Sequence, residues 1–250
     1  MARLLTALYS TLVYIFFFAT FLYAIGFVEN AVVPKTIDSG AAGGVALSIL
    51  INAVLLGVFA VQHSVMARPA FKRAWTRIVP PAAERSTYVL LASAALALLF
   101  WQWRPLPQAV WTIAPGPLAT AILAASLVGW AVVLASTFLI NHFELFGLTQ
   151  GWSGLLGLSS PQASFVTPLF YRWIRHPLYT GFLLAFWAAP HMSLGHLVFS
   201  IATTGYIFIG IWLEERDLVA HFGDRYRQYR ATVGMVFPKL RSTAGQRQTR

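Results

Sequence analysis

Long uncharged apolar runs, separated by short clusters of charge, constrain this chain more than any other feature. A helix that crosses the hydrocarbon core needs about 20 predominantly apolar residues. Only 10% of the 250 residues are charged, where a soluble domain carries about 25%. Four runs have the required length or nearly so: Leu4–Val28, Gly43–Ala67 (interrupted by Asn52, Gln62 and His63), Thr87–Trp103 and Pro117–Ile140. A fifth, Leu178–Leu213, is too long for one span and is broken near Pro190-His191-Met192. It reads as a tight hairpin of two helices, the first short. The first run is longer than a signal-peptide core and lacks a small-residue cleavage site, so it reads as an uncleaved span. The expected fold is an all-α integral membrane protein. It has about five to six transmembrane helices, the last two a hairpin, followed by an amphipathic C-terminal helix.

Charge orients these spans. The formal net charge is +10, and the positive-inside rule accounts for it without nucleic acid as a partner. Arg68, Lys72, Arg73, Arg77 and Arg85 follow the second run. If that side is cytoplasmic, alternation leaves only Lys35 and Arg104 of the 18 basic residues outside. Both termini are then cytoplasmic, in a membrane that reads as a bacterial inner membrane. A single span over Leu178–Leu213 would put the Arg-rich tail on the wrong face, so charge favours the hairpin. The chain has no cysteine, which excludes disulfides, thiolate metal ligands and a thiol nucleophile. No metal site is expected. Three regions follow: helices over 1–142, a long loop with the hairpin and C-terminal helix over 143–240, and a flexible tail over 241–250. The stretch Phe143–Phe170 reads as a long loop, a length that is usually functional or disordered.

The hairpin opens on Tyr171-Arg172-Trp173-Ile174-Arg175-His176-Pro177-Leu178-Tyr179-Thr180-Gly181. Proline is disfavoured after a helical residue and favoured at the first helical position. His176 is therefore a boundary and Pro177 a helix start, with free backbone N–H groups suited to an anion. Arg172 and Arg175 reinforce that site. The hairpin closes on Leu213-Glu214-Glu215-Arg216-Asp217, and antiparallel helices bring Glu214 and Glu215 near Arg175 and His176. Leu218, Phe222, Tyr226 and Tyr229 share one helical face, as in a helix lying on the membrane or a lid. Each feature also has a plain reading. Arg175-His176 is then an interfacial anchor, Glu214-Glu215 a salt-bridge pair with Arg216 and Arg225, and the aromatic stripe packing.

As a set these residues resemble the isoprenylcysteine carboxyl methyltransferase superfamily of membrane methyltransferases. The resemblance rests on Arg175-His176-Pro177-Leu178-Tyr179-Thr180-Gly181, Glu214-Glu215 and Phe222-Gly223-Asp224-Arg225-Tyr226-Arg227-Gln228-Tyr229. Further upstream, Gln62-His63-Ser64-Val65-Met66-Ala67-Arg68-Pro69, Glu84-Arg85-Ser86-Thr87-Tyr88, Phe100-Trp101-Gln102-Trp103-Arg104-Pro105 and Asn141-His142-Phe143-Glu144-Leu145-Phe146-Gly147-Leu148 resemble the bacterial methanethiol S-methyltransferases, which are similar to NnrU-type membrane proteins. The resemblance implies S-adenosylmethionine as methyl donor and a small thiol as acceptor. It implies cofactor contacts from Phe165, Val166, Tyr171, Arg175, His176, Pro177, Leu178, Tyr179, Glu214 and Glu215. The chain departs from the family pattern at Pro168-Leu169-Phe170, where a glycine often precedes the tyrosine.

Methyl transfer between sulfurs is an in-line displacement, and holding the partners in place supplies about 7–11 kcal/mol of the barrier. Aromatic faces such as Tyr171, Trp173 and Tyr179 suit a cationic sulfonium. A thiol reacts as its thiolate, so a base or positive field is needed. His63, Arg85, His142 and Glu144 are the candidates, although His63 also reads as a satisfied intramembrane polar residue beside Gln62. A small neutral thiol reaches such a site through membrane lipid. Two other readings stay open: a lipid or prenylcysteine acceptor at the same site, or a haem-binding or transport protein using His63, His142, His191 and His196.

Overall fold

The computed structural model describes residues 1–157 and 168–239. Five helices have the length and apolarity to cross a membrane: α1 Ala2–Val28, α2 Val45–Met66, α4 Pro81–Gln102, α5 Pro117–Ile140 and α9 Leu194–Phe222. Each lies on one of the uncharged runs, with α4 and α9 extending beyond theirs into charged sequence, because in hydrocarbon a helix satisfies every backbone polar group internally. A short helix α3, Pro69–Trp75, follows α2, and the apolar helix α8, Pro177–Trp187, precedes α9. Prolines sit at the first helical position of α3, α4, α5 and α8, where the missing N–H has no partner to lose.

Aromatic rings build the core. Phe27, Phe100, Trp103, Trp130, Phe186 and Phe199 form one buried cluster, and the Trp130 ring meets Phe21, Phe182 and Phe186 edge-on. Helices α5 and α8 cross at Gly129 and Gly181. A Cβ on either glycine would lie 2.7 Å from the other's carbonyl oxygen, so only glycine permits this approach. The two ends of the bundle are tied by polar contacts. At one end Asn52 brackets the Arg104 backbone at 2.8 Å on both sides, and Ser193 donates to Asp38. At the other, Arg68 pairs with Asp217 at 3.0 Å and Arg85 Nε donates to the Leu145 carbonyl at 2.7 Å.

Four expectations need correction. The fold is not purely helical: β1, Ala109–Thr112, pairs antiparallel with β2, His191–Ser193, placing Ala109 opposite Ser193 and Thr112 opposite His191. Helix α8 has only 11 residues, and the extended chain after it has no intrahelical partners for its backbone groups. The segment before α5 supplies them, through Ile113 N–H to Pro190 O, Trp111 Nε1 to Ala189 O, Leu194 N–H to Gln108 O and Gly195 N–H to Leu106 O. Second, the region expected as one loop contains α6, His142–Leu145, and α7, Leu148–Leu156. Helix α7 packs on α1, with Trp152 donating to Thr11 at 3.0 Å and Gly151 against Ser10. Third, α9 continues past Leu213 to Phe222. Glu214 and Glu215 therefore lie two turns inside the helix and do not face its C-terminal dipole. Fourth, Gly223, at φ 57°, ends α9 before α10, Asp224–Thr232, so Leu218 to Tyr229 is not one continuous helical face.

Candidate active site

The chain enters α8 through a 3-10 turn, Leu169–Arg172. Ile174 then bridges Gly234 in parallel, and the N–H groups of Arg175 and His176 donate to Gly234 O and Met235 O at 2.8 and 3.1 Å. Further on, Thr180 donates to Val236 O at 2.9 Å. The segment after α10 is thereby laced to the start of α8, and the first-turn N–H groups of Leu178 and Tyr179 are left without intrahelical carbonyls.

Beside this start lies a buried charge network. Arg175 Nε donates to Glu215 Oε1 at 2.8 Å, and its Nη1 reaches Arg230 O and Val233 O. His176 Nε2 is 3.2 Å from the same Glu215 oxygen, and Arg230 Nε is 3.2 Å from Oε2. The Arg175 and Glu215 side chains are only 7% and 6% exposed. A buried carboxylate is tolerable when paired and hydrogen-bonded, and Glu215 is hydrogen-bonded at Oε1 and ion-paired at Oε2. Its partners are Arg175, His176 and Arg230 from elsewhere in the fold, while Arg216 lies 3.9 Å from Asp217. Arg175, expected to meet an anion, has its guanidinium turned into this network.

Glu214 differs from its neighbour. Its side chain keeps 46% of its surface open, yet it lies 3.8 Å from His176 Nδ1 and within electrostatic reach of the Tyr179 hydroxyl. Tyr171 stands close enough that Glu214 and Tyr229, after burial itself, hold its hydroxyl above the ordinary phenol range. Burial pushes the Tyr229 hydroxyl up to about 12, and it donates to the Tyr171 carbonyl. Of the residues expected here, the structure gathers Tyr171, His176, Pro177, Leu178, Tyr179 and Glu214 around the start of α8, with Arg175 and Glu215 beneath them. Phe165 and Val166 lie outside the described residues.

A second cluster adjoins the first. Both ring nitrogens of His63 lie within 3.0 Å of the Tyr88 hydroxyl, and the ring packs against Phe59 at 5.2 Å. Arg85 caps the Tyr88 ring at 5.1 Å. Tyr206 on α9 approaches Phe59 and His63 with ring centroids at 6.1 and 6.5 Å and bonds Ser64 at 3.2 Å. Tyr179 lies within electrostatic reach of Glu214, Tyr206 and Tyr88 together.

The other two candidates serve the scaffold in this structure. His142 is bonded on both nitrogens, to Tyr14 at 2.9 Å and Thr137 at 2.7 Å. Because Thr137 donates to Leu134 O, it accepts from Nδ1–H, and Nε2 accepts from Tyr14. Burial lowers the His142 pKa from its ordinary value of 6.5, in keeping with this neutral tautomer. Glu144 and Asn141 cap each other, with Asn141 donating to Glu144 Oε2 at 2.6 Å. His191 meets Thr112 at 2.9 Å and His196 meets the Phe186 carbonyl at 2.9 Å. Tyr88, Tyr206 and Arg230 escaped the sequence reading. The tyrosines sit inside apolar runs where aromatic residues usually pack, whereas the spacing of Tyr206 from Glu214, two helical turns on one face, was a usable signal.

Residues 49–239 match the NnrU protein family, and the chain belongs to that family of membrane proteins. Within it, the chain groups with the methanethiol S-methyltransferases. It is 54% identical to methanethiol S-methyltransferase 1 of Bradyrhizobium diazoefficiens over 240 residues, covering 96% of this chain and 84% of that protein. It is 53% identical to the methanethiol S-methyltransferase of Mycobacterium tuberculosis over 238 residues, covering 95% and 98%. Nurim of Mus musculus is 31% identical over 173 residues, 66% of this chain and 65% of nurim. No solved structure matches.

Proposed function

We propose that the protein is a membrane enzyme that transfers the methyl group of S-adenosylmethionine to methanethiol, forming dimethyl sulfide. The observation that carries this reading is the half-open Glu214 carboxylate, set among His176, Tyr171 and Tyr179, with the His63–Tyr88–Tyr206 cluster within electrostatic reach of Tyr179. The donor set fits the cofactor. Glu214 and Tyr179 suit its ammonium or ribose, the N–H groups at the start of α8 suit its carboxylate, and the Tyr171 and Tyr179 rings suit a sulfonium. Arg175 and Glu215 hold this wall in place from below. Phe165 and Val166 complete the expected contacts.

When bound, S-adenosylmethionine supplies an electrophilic methyl carbon that passes to the thiol sulfur as its bond to the sulfonium breaks. His63, its ring held by Tyr88, is the group placed to take the thiol proton, and Arg85 over the Tyr88 ring adds a positive field that favours the thiolate. His142 and Glu144 support the loop that positions Arg85 through Leu145.

Residues 1–142 supply the acceptor side and 143–240 the cofactor side. Helices α8 and α9 form a hairpin entered from the cytoplasm, α10 lies on the membrane face, and both termini are cytoplasmic in a bacterial inner membrane. The thiol arrives through lipid and the cofactor from the cytoplasm. Calorimetry of S-adenosylmethionine binding, followed by headspace detection of dimethyl sulfide, tests the proposal. His63→Ala should keep cofactor binding and lose about 100- to 10,000-fold in turnover, the usual contribution of a general base. Unchanged turnover removes His63 from the role, and absence of cofactor binding by the wild type removes the enzyme reading.

A further inference from the structure

We infer that Phe59, Tyr88 and Tyr206 form the binding box for the acceptor thiol around His63, and that Tyr206 sets the size of thiol admitted. The assignment rests on the methyltransferase reading above. Three aromatic rings surround one imidazole: Phe59 at 5.2 Å, Tyr88 at 5.1 Å and Tyr206 at 6.5 Å between centroids. Phe59 and Tyr206 also touch each other, at 6.1 Å. These rings pack directly on the imidazole, so a thiol that reaches His63 meets them as its walls, and sulfur makes favourable contacts with aromatic rings. Tyr88 is buried, whereas Phe59, His63 and Tyr206 each keep part of their surface open, as lining groups do.

One face of α9 runs from the box to the cofactor side. Tyr206, Gly210 and Glu214 follow at four-residue spacing and so lie one above another. At Gly210 a Cβ would meet only the Tyr179 hydroxyl, at 3.6 Å. The bare backbone there separates the Tyr206 ring from the Glu214 carboxylate without filling the space between them. A sulfur held against Tyr206 therefore faces the tyrosine that borders Glu214. Tyr206 closes the acceptor box from the α9 side, and its hydroxyl is held from behind by Ser64 at 3.2 Å.

The test uses the full-length protein in detergent or nanodiscs, with methanethiol, ethanethiol and 1-propanethiol as probes. Tyr206→Ala should raise the ratio of kcat/KM for 1-propanethiol over methanethiol at least about tenfold, since one methylene against a pocket wall is worth about 10- to 200-fold. The Kd for S-adenosylmethionine should stay at the wild-type value, which a general loss of structure would not allow. Tyr206→Phe, keeping the ring, should keep the wild-type ratio, and Phe59→Ala should shift it in the same direction as Tyr206→Ala. An unchanged ratio in both alanine variants, with turnover measurable, overturns the assignment alone. A wild type that methylates none of the thiols overturns the functional reading and the assignment with it.

Discussion

Glu214 and Glu215 are adjacent in sequence and have opposite surroundings. Glu215 is enclosed by Arg175, His176 and Arg230, while Glu214 keeps nearly half its side chain open. Removing one partner of a buried pair leaves the other charge uncompensated, at a cost of about 3–5 kcal/mol. Glu215→Ala should therefore lower thermal stability sharply, whereas Arg68→Ala, which breaks a half-exposed pair with Asp217, should change it by about 0–1 kcal/mol. Equal effects in a melting experiment would contradict the network described. His142 gives a pH signature. The folded protein keeps the ring neutral, while the unfolded chain takes up a proton near its ordinary value of 6.5. Below that pH the unfolded state binds more protons, so stability falls as pH falls. His142→Gln should flatten this part of the profile. The meeting of Arg175 with Glu215 was legible because a hairpin brings its two ends together. The division of labour between the two glutamates was not, because it depends on Arg230, whose placement follows from the break at Gly223.

At the scale of elements, uncharged runs marked the spans well, and Pro117–Ile140 has the same limits in sequence and structure. Helix α7 was hidden because nine residues bearing two glycines lack the length that identifies a span. The ribbon was hidden because Ala109–Thr112 and His191–Ser193 are too short to show alternation and lie far apart in the chain. The α5–α8 crossing makes a prediction with an internal control. A Cβ at Gly181 would meet Gly129 O at 2.7 Å and Val133 N at 2.9 Å, backbone atoms that cannot step aside. Gly181→Ala should destabilise by about 1–3 kcal/mol. At Gly57, where a Cβ meets nothing within 4 Å, the same change should stabilise by about 0.4–1 kcal/mol. Melting temperatures that move in the same direction would contradict this packing.

For the whole molecule, the proposed orientation is directly measurable because the sequence contains no cysteine. Single cysteines at Ala74 and Val110, exposed positions on α3 and β1, report the two ends of the bundle. A membrane-impermeant maleimide should label Val110→Cys in intact spheroplasts and Ala74→Cys only after permeabilisation. The reverse pattern would invert the topology. The ribbon between β1 and β2 also imposes an order on biogenesis. Thr112 and His191, which it joins, are 79 residues apart. At about 5–20 residues per second of synthesis, β1 waits roughly 4–16 s for its partner. The first four spans can enter the bilayer as they emerge, but the connection between α4 and α5 acquires its final shape only when the last pair of helices arrives. The side-chain network at the start of α8 is thus among the last parts of the molecule to be completed.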